Sequence, residues 1–454
     1  MIHAFRALDL NIILDVESGA VHVTDDLIYD MLVMLSNGSA REDIVNKLAP
    51  KYSPDDIRDA FTEIDNLISA GQLFAPVPYT EAPAVNPQGI IKAMCLHVSH
   101  DCNLRCKYCF ASTGDFGGER ALMDAATGKK ALDFLVSKSG GRKNLEVDFF
   151  GGEPLMNFGA VKSVVEYGRM LEKKHNKTIK FTITTNGLGL TDEIIDYFNS
   201  EMENVVLSLD GRPDVHDKMR PCANGKGSYN LIADNILNFS RMRGDKSHYI
   251  RGTYTAYNLD FARDVLYLAE AGFRQISIEP VVAPAGTDYS IKDEHLPRLF
   301  EEYEYLMQEY LKRRKEGQEF NFFHFNVDLT GGPCLAKRLT GCGAGNEYVA
   351  VTPGGDIYPC HQFVGQIEFK MGNIYAPDSF NTDMQKVFAG NNVVTKPECS
   401  ACWAKYYCSG GCAANAYYDN GHIDKPYRIG CELLKKRTEC AIAIFIKERE
   451  EKHD

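Results

Sequence analysis

The sequence predicts an α/β protein of two to four domains whose middle is a parallel sheet, either doubly wound or a partial barrel. Three observations carry this reading. Strand-like apolar runs alternate with amphipathic helical stretches six times between Ile90 and about Lys315. A stretch with four prolines, residues 76–89, sets that region apart from about seventy residues before it. Beyond Phe320 the alternation gives way to short runs, many glycines and most of the 14 cysteines.

In chain order, residues 10–25 are two β-rich runs around Glu17, Ser18 and Gly19, which fits a hairpin. A helix from about Asp26 to Leu35 follows, with Leu27, Met31 and Leu35 at helical spacing and an end near Asn37 and Gly38. Ser39 reads as the N-cap of a second helix ending at Pro50. Ser53, with Pro54 behind it, opens a third whose Ile57, Phe61, Ile64 and Ile68 share one face. A hairpin with three helices suggests a winged helix over residues 1–78, and 79–90 reads as a linker. The candidate strands of the middle region, 91–315, are 93–99, 145–150, 180–185, 205–209, 249–255 and 275–281. In such sheets the site lies in the loops at the C-terminal strand ends. Residues 316–430 are too irregular to hold themselves by apolar packing, so metal staples are expected, and 431–454 reads as a terminal helix.

Composition narrows the function. Apolar residues at 44% and charged residues at 25% argue against a disordered chain. Fifty basic against 62 acidic residues give a net charge of -12, the wrong sign for holding nucleic acid. No apolar run is long enough to span a membrane and the N-terminus lacks a secretion signal, so a reducing, anaerobic cytoplasm is expected. In that compartment bunched cysteines point to metal, not disulfides.

Cys102, Cys106 and Cys109 follow the first strand of the sheet. Three thiolates in eight residues can hold three irons of a [4Fe-4S] cluster, leaving one iron to an external ligand. Zinc is the competing reading, with His97 or His100 as fourth ligand. CNLRCKYCF, residues 102–110, resembles the C-x3-C-x2-C signature of the radical S-adenosylmethionine enzymes, including Tyr108 before the last cysteine. The likeness continues in order: GGEP at Gly151, Gly152, Glu153 and Pro154, TTNG ending in Asn186 and Gly187, and SLDG at Ser208 to Gly211 with Asp210, each after a successive strand. The resemblance implies a partial (β/α)6 barrel. It also implies S-adenosylmethionine contacts at these residues and reductive cleavage to a 5'-deoxyadenosyl radical, driven by an external reductant.

A second resemblance lies downstream. Cys342, Cys360, the run Cys399, Cys402, Cys408 and Cys412, and finally Cys431 are similar to the seven-cysteine SPASM domain of radical enzymes that modify peptides. It implies two auxiliary [4Fe-4S] clusters, hence three in all: one on Cys399, Cys402, Cys408 and Cys431, the other on Cys342, Cys360 and Cys412. Cys334 is a candidate further ligand of the latter; without it an open iron could take a substrate thiolate. Cys95, Cys222, Cys440 and His324 read as packing or loop residues.

The N-terminal part resembles leader-recognition elements that grip an extended precursor peptide by strand addition. Plain packing or dimerisation is the alternative. Together the parts resemble maturases of ribosomal peptides. Sulfatase activators carry an acidic base after the cysteine matching Cys360; here His361 stands there. RGTYT at 251–255 and EPVVAP at 279–284 are most like the branch acting on cysteine-rich SCIFF peptides, which joins a Cys sulfur to an α-carbon. Cross-linking to the β- or γ-carbon of Asp or Glu, formylglycine-type oxidation, and a non-enzymatic iron–sulfur scaffold are the alternatives.

Overall fold

The computed structural model describes residues 1–77, 86, 88–284, 286–327, 329 and 338–453. Cys334 and the linker prolines Pro78, Pro83 and Pro87 lie outside the described residues.

The N-terminal part holds three strands where a hairpin is expected: β1 (Ile2–Ala7), β2 (Leu10–Asp15) and β3 (Val21–Thr24), antiparallel in the order β1-β2-β3. The additional strand is β1. Its turn to β2 is made by Leu8 and Asp9, both at positive φ, and lacks the Asn-Gly signature that announces a tight hairpin. Helices α1 (Asp26–Ser36), α2 (Arg41–Leu48) and α3 (Pro54–Ser69) follow. The cap of α2 is Ala40, with no side-chain hydrogen bond, so Ser39 is not its N-cap. At α3 the expected start is found, with a full capping box between Ser53 and Asp56 and Pro54 in the first turn. Ile57, Phe61 and Ile64 are buried, whereas Ile68 is exposed beyond the reach of the packing face. One face of the sheet packs through Ile13 onto these helices; Phe5, Ile12 and Leu14 on the other face join the core of the main body.

The middle region carries β4 (Ala93–Ser99), β5 (Asn144–Gly151), β6 (Thr178–Thr185), β7 (Met202–Ser208), β8 (His248–Tyr254) and β9 (Gln275–Pro280). Between them run α4 (Ala125–Lys138), α5 (Phe158–His175), α6 (Asp192–Glu201), α7 (Pro213–Met219), α8 (Tyr229–Arg243) and α9 (Phe261–Glu270), and α10 (Leu296–Lys315) follows β9. The six strands are parallel and stand in sequential order. Right-handed crossovers between sequential neighbours put every helix on one face. A doubly wound sheet would reverse its order at a switch point. The partial barrel is therefore the arrangement found.

Four further strands extend the sheet: β10 (Asn321–Phe322) beside β9, β11 (Tyr348–Val351) parallel to β4, and β12 (Asp356–Tyr358) and β13 (Gly372–Asn373) antiparallel beyond it. The cysteine-rich region thus contributes strands to the barrel's own sheet. The terminal helix, Arg428–His453, begins three residues before Cys431. Among the described residues no helix is long and apolar enough to cross a membrane.

Strands β5 and β6 alternate strictly. Leu145, Val147, Phe149, Ile179, Phe181 and Ile183 are buried in the core. The opposite face carries Glu146, Asp148, Thr182 and Thr184, which line an interior cavity. A polar inner face cannot pack dry, so the barrel encloses space for polar ligands.

Candidate active site

A cavity of 660 Å³ opens at the C-terminal ends of the strands. Cys102, Cys106 and Cys109 all line it. Their loop is held from the side by the end of α7 and the segment after it: Leu104 bridges Cys222, and the amides of Arg105 and Lys107 donate to the carbonyls of Pro221 and Met219, both at 2.8 Å. Burial pushes the Cys102 thiol up to about 12 and Cys106 to about 11. Free thiols here would be protonated at neutral pH, and coordination to iron is what would hold them as thiolates.

His97 and His100 hydrogen-bond each other at 3.1 Å, Nδ1 to Nε2, beside Phe116. Neither lines the cavity, and burial lowers both below the usual histidine range, His100 to about 4. They do not complete a zinc site with the triad. Among the described residues no three Cys, His, Asp or Glu side chains converge on a single ion.

The glycine pair explains how the second motif reaches the triad. A Cβ on Gly151 would sit 2.1 Å from the carbonyl oxygen of Ser99, and one on Gly152 2.1 Å from that of Asp101. Without side chains the backbones zip together: Gly152 N donates to Ser99 O and Glu153 N to Asp101 O, each at 2.8 Å. Glu153 is buried, and its carboxylate accepts from Thr185 Oγ1 at 2.7 Å, Asn186 N at 2.8 Å and Leu155 N at 3.0 Å. Burial nevertheless raises its pKa above the usual carboxylate value. The Asn186 side chain donates to Asn103 Oδ1 at 2.7 Å, tying the third strand end to the cysteine loop.

Tyr108, Gly151, Gly152, Glu153, Asn186 and Ser208 all line the cavity. Two expected cofactor contacts do not. Pro154 is buried at the start of a short 3-10 helix, where it stiffens the turn after Glu153. Asp210 is fully buried, and its carboxylate accepts from Tyr108 OH at 2.6 and 2.8 Å, Arg220 Nε at 3.0 Å and Thr253 N at 3.0 Å. It braces the site from behind. Arg220 is the residue that motif reading misses. Its guanidinium lies over the Tyr108 ring and places Nη1 3.9 Å from Cys106 Sγ. Its position after α7 gives no sign of this in sequence.

Cys360 and Cys412 pack in one small apolar cluster; burial raises both thiols, and Cys342 is close enough to add to it. His361, Gln362 and Asn415, near Cys360 and Cys412 in sequence, line the barrel cavity. Cys399, Cys402, Cys408 and Cys431 line a second cavity of 520 Å³. Burial pushes Cys399 up to about 11 and Cys431 to about 12. Cys95 and Cys440 are buried. Cys95 is also on the barrel-cavity wall. His324 is nearly covered, and its Nε2 lies 3.1 Å from Ser277 Oγ.

Comparison with known proteins agrees with this geometry. Residues 85–233 match the family model described as a 4Fe-4S single cluster domain. A cysteine-type anaerobic sulfatase-maturating enzyme of Clostridium novyi is 27% identical over 362 residues, 74% of this chain and 91% of that protein. The mycofactocin maturase MftC of Mycolicibacterium smegmatis is 26% identical over 353 residues, 75% of this chain and 83% of the relative. Among solved structures, anSMEcpe with bound AdoMet has a TM-score of 0.66 at 19% identity, covering 80% of this chain and 96% of that one. Streptococcus suis SuiB bound to precursor peptide SuiA has a TM-score of 0.50 at 16% identity, covering 94% and 97%. Ordered motifs at successive strand ends, the partial barrel and these relatives make the chain similar to the radical SAM/SPASM-type maturases, and an enzyme.

Proposed function

We propose that the enzyme matures a ribosomally made, cysteine-rich precursor peptide by joining a Cys sulfur to a backbone α-carbon, with net loss of two hydrogens. One observation carries the proposal: a single cavity is lined both by Cys102, Cys106 and Cys109 and by His361, Gln362 and Asn415 from the Cys360 and Cys412 segments. When bound, three [4Fe-4S] clusters and S-adenosylmethionine supply the hydrogen-abstracting radical and take up electrons. The chain's own residues do the rest. Cys102, Cys106 and Cys109 hold the first cluster, the Gly151–Gly152 backbone and Ser208 present polar atoms to the cofactor, and Tyr108 is fixed by Asp210. The residue after Cys360 is His361, not a carboxylate, and burial lowers its pKa to about 4, so it is also a weaker base than an ordinary histidine. The names of some relatives favour formylglycine-type oxidation, and this histidine argues against it.

Deuterium at the acceptor α-carbon should appear in 5'-deoxyadenosine, and blocking the peptide's cysteines should abolish the cross-link. Both are read by mass spectrometry after anaerobic reaction with the peptide encoded beside the enzyme. Label from a β-carbon, or an aldehyde product, rejects the α-thioether.

Residues 1–78 serve, in this reading, as the leader-binding module, with 79–90 as linker, 91–315 as barrel, 316–430 as SPASM domain and 431–454 as terminal helix. Strand β3 supports it: among the described residues it pairs only with β2, leaving an edge for an added strand. Deleting the module should weaken precursor binding about a hundredfold, an order-of-magnitude expectation for losing a strand's backbone bonds. Equal affinity with and without the module, measured by fluorescence anisotropy of a labelled precursor, would place recognition elsewhere.

A further inference from the structure

Three of the five residues between Cys402 and Cys408 are gripped by the N-terminal sheet. Glu17, in the turn between β2 and β3, has a side chain with no exposed surface. One carboxylate oxygen accepts from Lys405 Nζ at 2.6 Å and the other from Tyr406 OH at 2.8 Å. Trp403 stacks flat on His3, with ring centroids 3.8 Å apart and planes 4° from parallel. His3 Nε2 in turn lies 2.9 Å from Glu439 Oε1, on the terminal helix that also carries Cys431. The turn that presents Glu17 is itself fixed: Asp15 Oδ1 accepts from Ser18 N at 2.9 Å and Ser18 Oγ at 2.8 Å.

A carboxylate stripped of water is costly unless its partners are placed for it, and simple packing between two units does not require one. The setting also matters. A second buried lysine, Lys396, donates to the carbonyl of Gly410 at 3.0 Å in the same knot. Two ammonium groups therefore lie close in sequence to the four thiols, and one of them is balanced by Glu17.

We propose that Glu17 is a positioning residue for the Cys399, Cys402, Cys408 and Cys431 site: it fixes the Cys402–Cys408 segment and offsets the Lys405 charge beside the cluster those cysteines hold. The inference rests on the reading of this quartet as a cluster site. The potential of an iron–sulfur cluster follows the net charge and hydrogen bonding around it. Glu17→Gln keeps the shape and removes one negative charge, leaving Lys405 uncompensated. The more negative, reduced cluster is then favoured, and the midpoint potential moves positive.

The test uses the full-length chain, reconstituted anaerobically in a Cys102→Ala, Cys106→Ala, Cys109→Ala background so that only auxiliary clusters contribute. Potentiometric EPR of Glu17→Gln should show a positive midpoint shift. Iron should pass to a chelator about tenfold faster, as expected when one partner of a buried pair is lost. Tyr406→Phe, which keeps the ion pair, should speed iron loss less and leave the midpoint in place. A wild-type spectrum and midpoint in Glu17→Gln would overturn the proposal even if the melting temperature fell, because that pattern is packing alone. An equal shift in Tyr406→Phe would overturn the charge assignment. The quartet reading is checked separately: Cys399→Ala with Cys402→Ala must lower the iron content, and unchanged iron would sink that reading itself.

Discussion

Replacing Cys102, Cys106 and Cys109 together by alanine is expected to remove about four irons and abolish cleavage of S-adenosylmethionine. The loop's path rests mainly on backbone bonds, with Leu104 N donating to Cys102 Sγ at 3.4 Å as the thiol's share. The loop backbone is held by bonds from Arg105 and Lys107 to the end of α7 and the segment after it, so the variant should fold and leave the other seven SPASM-like cysteines undisturbed. Iron and sulfide analysis, with chromatography of methionine and 5'-deoxyadenosine, reads both outcomes. Zinc in place of iron after anaerobic purification would reject the cluster reading.

The second large effect needs no loss of a ligand. Gly151 has φ of 132° and Gly152 faces the carbonyl of Asp101, so alanine at either position drives a methyl group to 2.1 Å from a backbone oxygen. Neither oxygen belongs to a flexible side chain. The strand end must therefore move away from the cysteine loop, breaking the two 2.8 Å bonds that join them. A displacement of about 1 Å in a reaction site costs on the order of a hundredfold in rate. Gly152→Ala should therefore lose about that factor in S-adenosylmethionine cleavage while keeping its triad cysteines. Gly159, with nothing within 4 Å of an added Cβ, is the control position and should accept alanine without loss. Full activity in Gly152→Ala would show that the close approach is not needed for the chemistry.

The parallel strands were legible because their apolar runs are long and punctuated, and the structure places all six within three residues of the predicted bounds. The cysteine groups stood out because their spacing is local, and the structure brings Cys102, Cys106 and Cys109 to one cavity and Cys399, Cys402, Cys408 and Cys431 to another. What escaped depends on contacts between distant segments. Asp210 reads as a ligand in its motif, yet it is fully occupied by Tyr108, Arg220 and Thr253. Arg220 lies 114 residues from Cys106, and no local pattern links them. Glu17 looks like a solvated turn residue and is among the most buried carboxylates of the chain, because its partners come 388 and 389 residues later. The missed strand β1 has the same cause: its turn uses Leu8 and Asp9 at positive φ, which only the packed sheet can enforce.

The ten-stranded sheet ends at β10 on one side and β13 on the other, and these two are not paired with each other. For a peptide substrate this decides topology as well as access. A closed ring of strands would force a polymer to enter end first. A chain that acquires a covalent loop inside such a ring could not be drawn back lengthwise through the same bore. On the function proposed above, a wall whose end strands are unpaired among the described residues would let a chain be laid in from the side, and a looped product would not have to be drawn lengthwise through a closed ring.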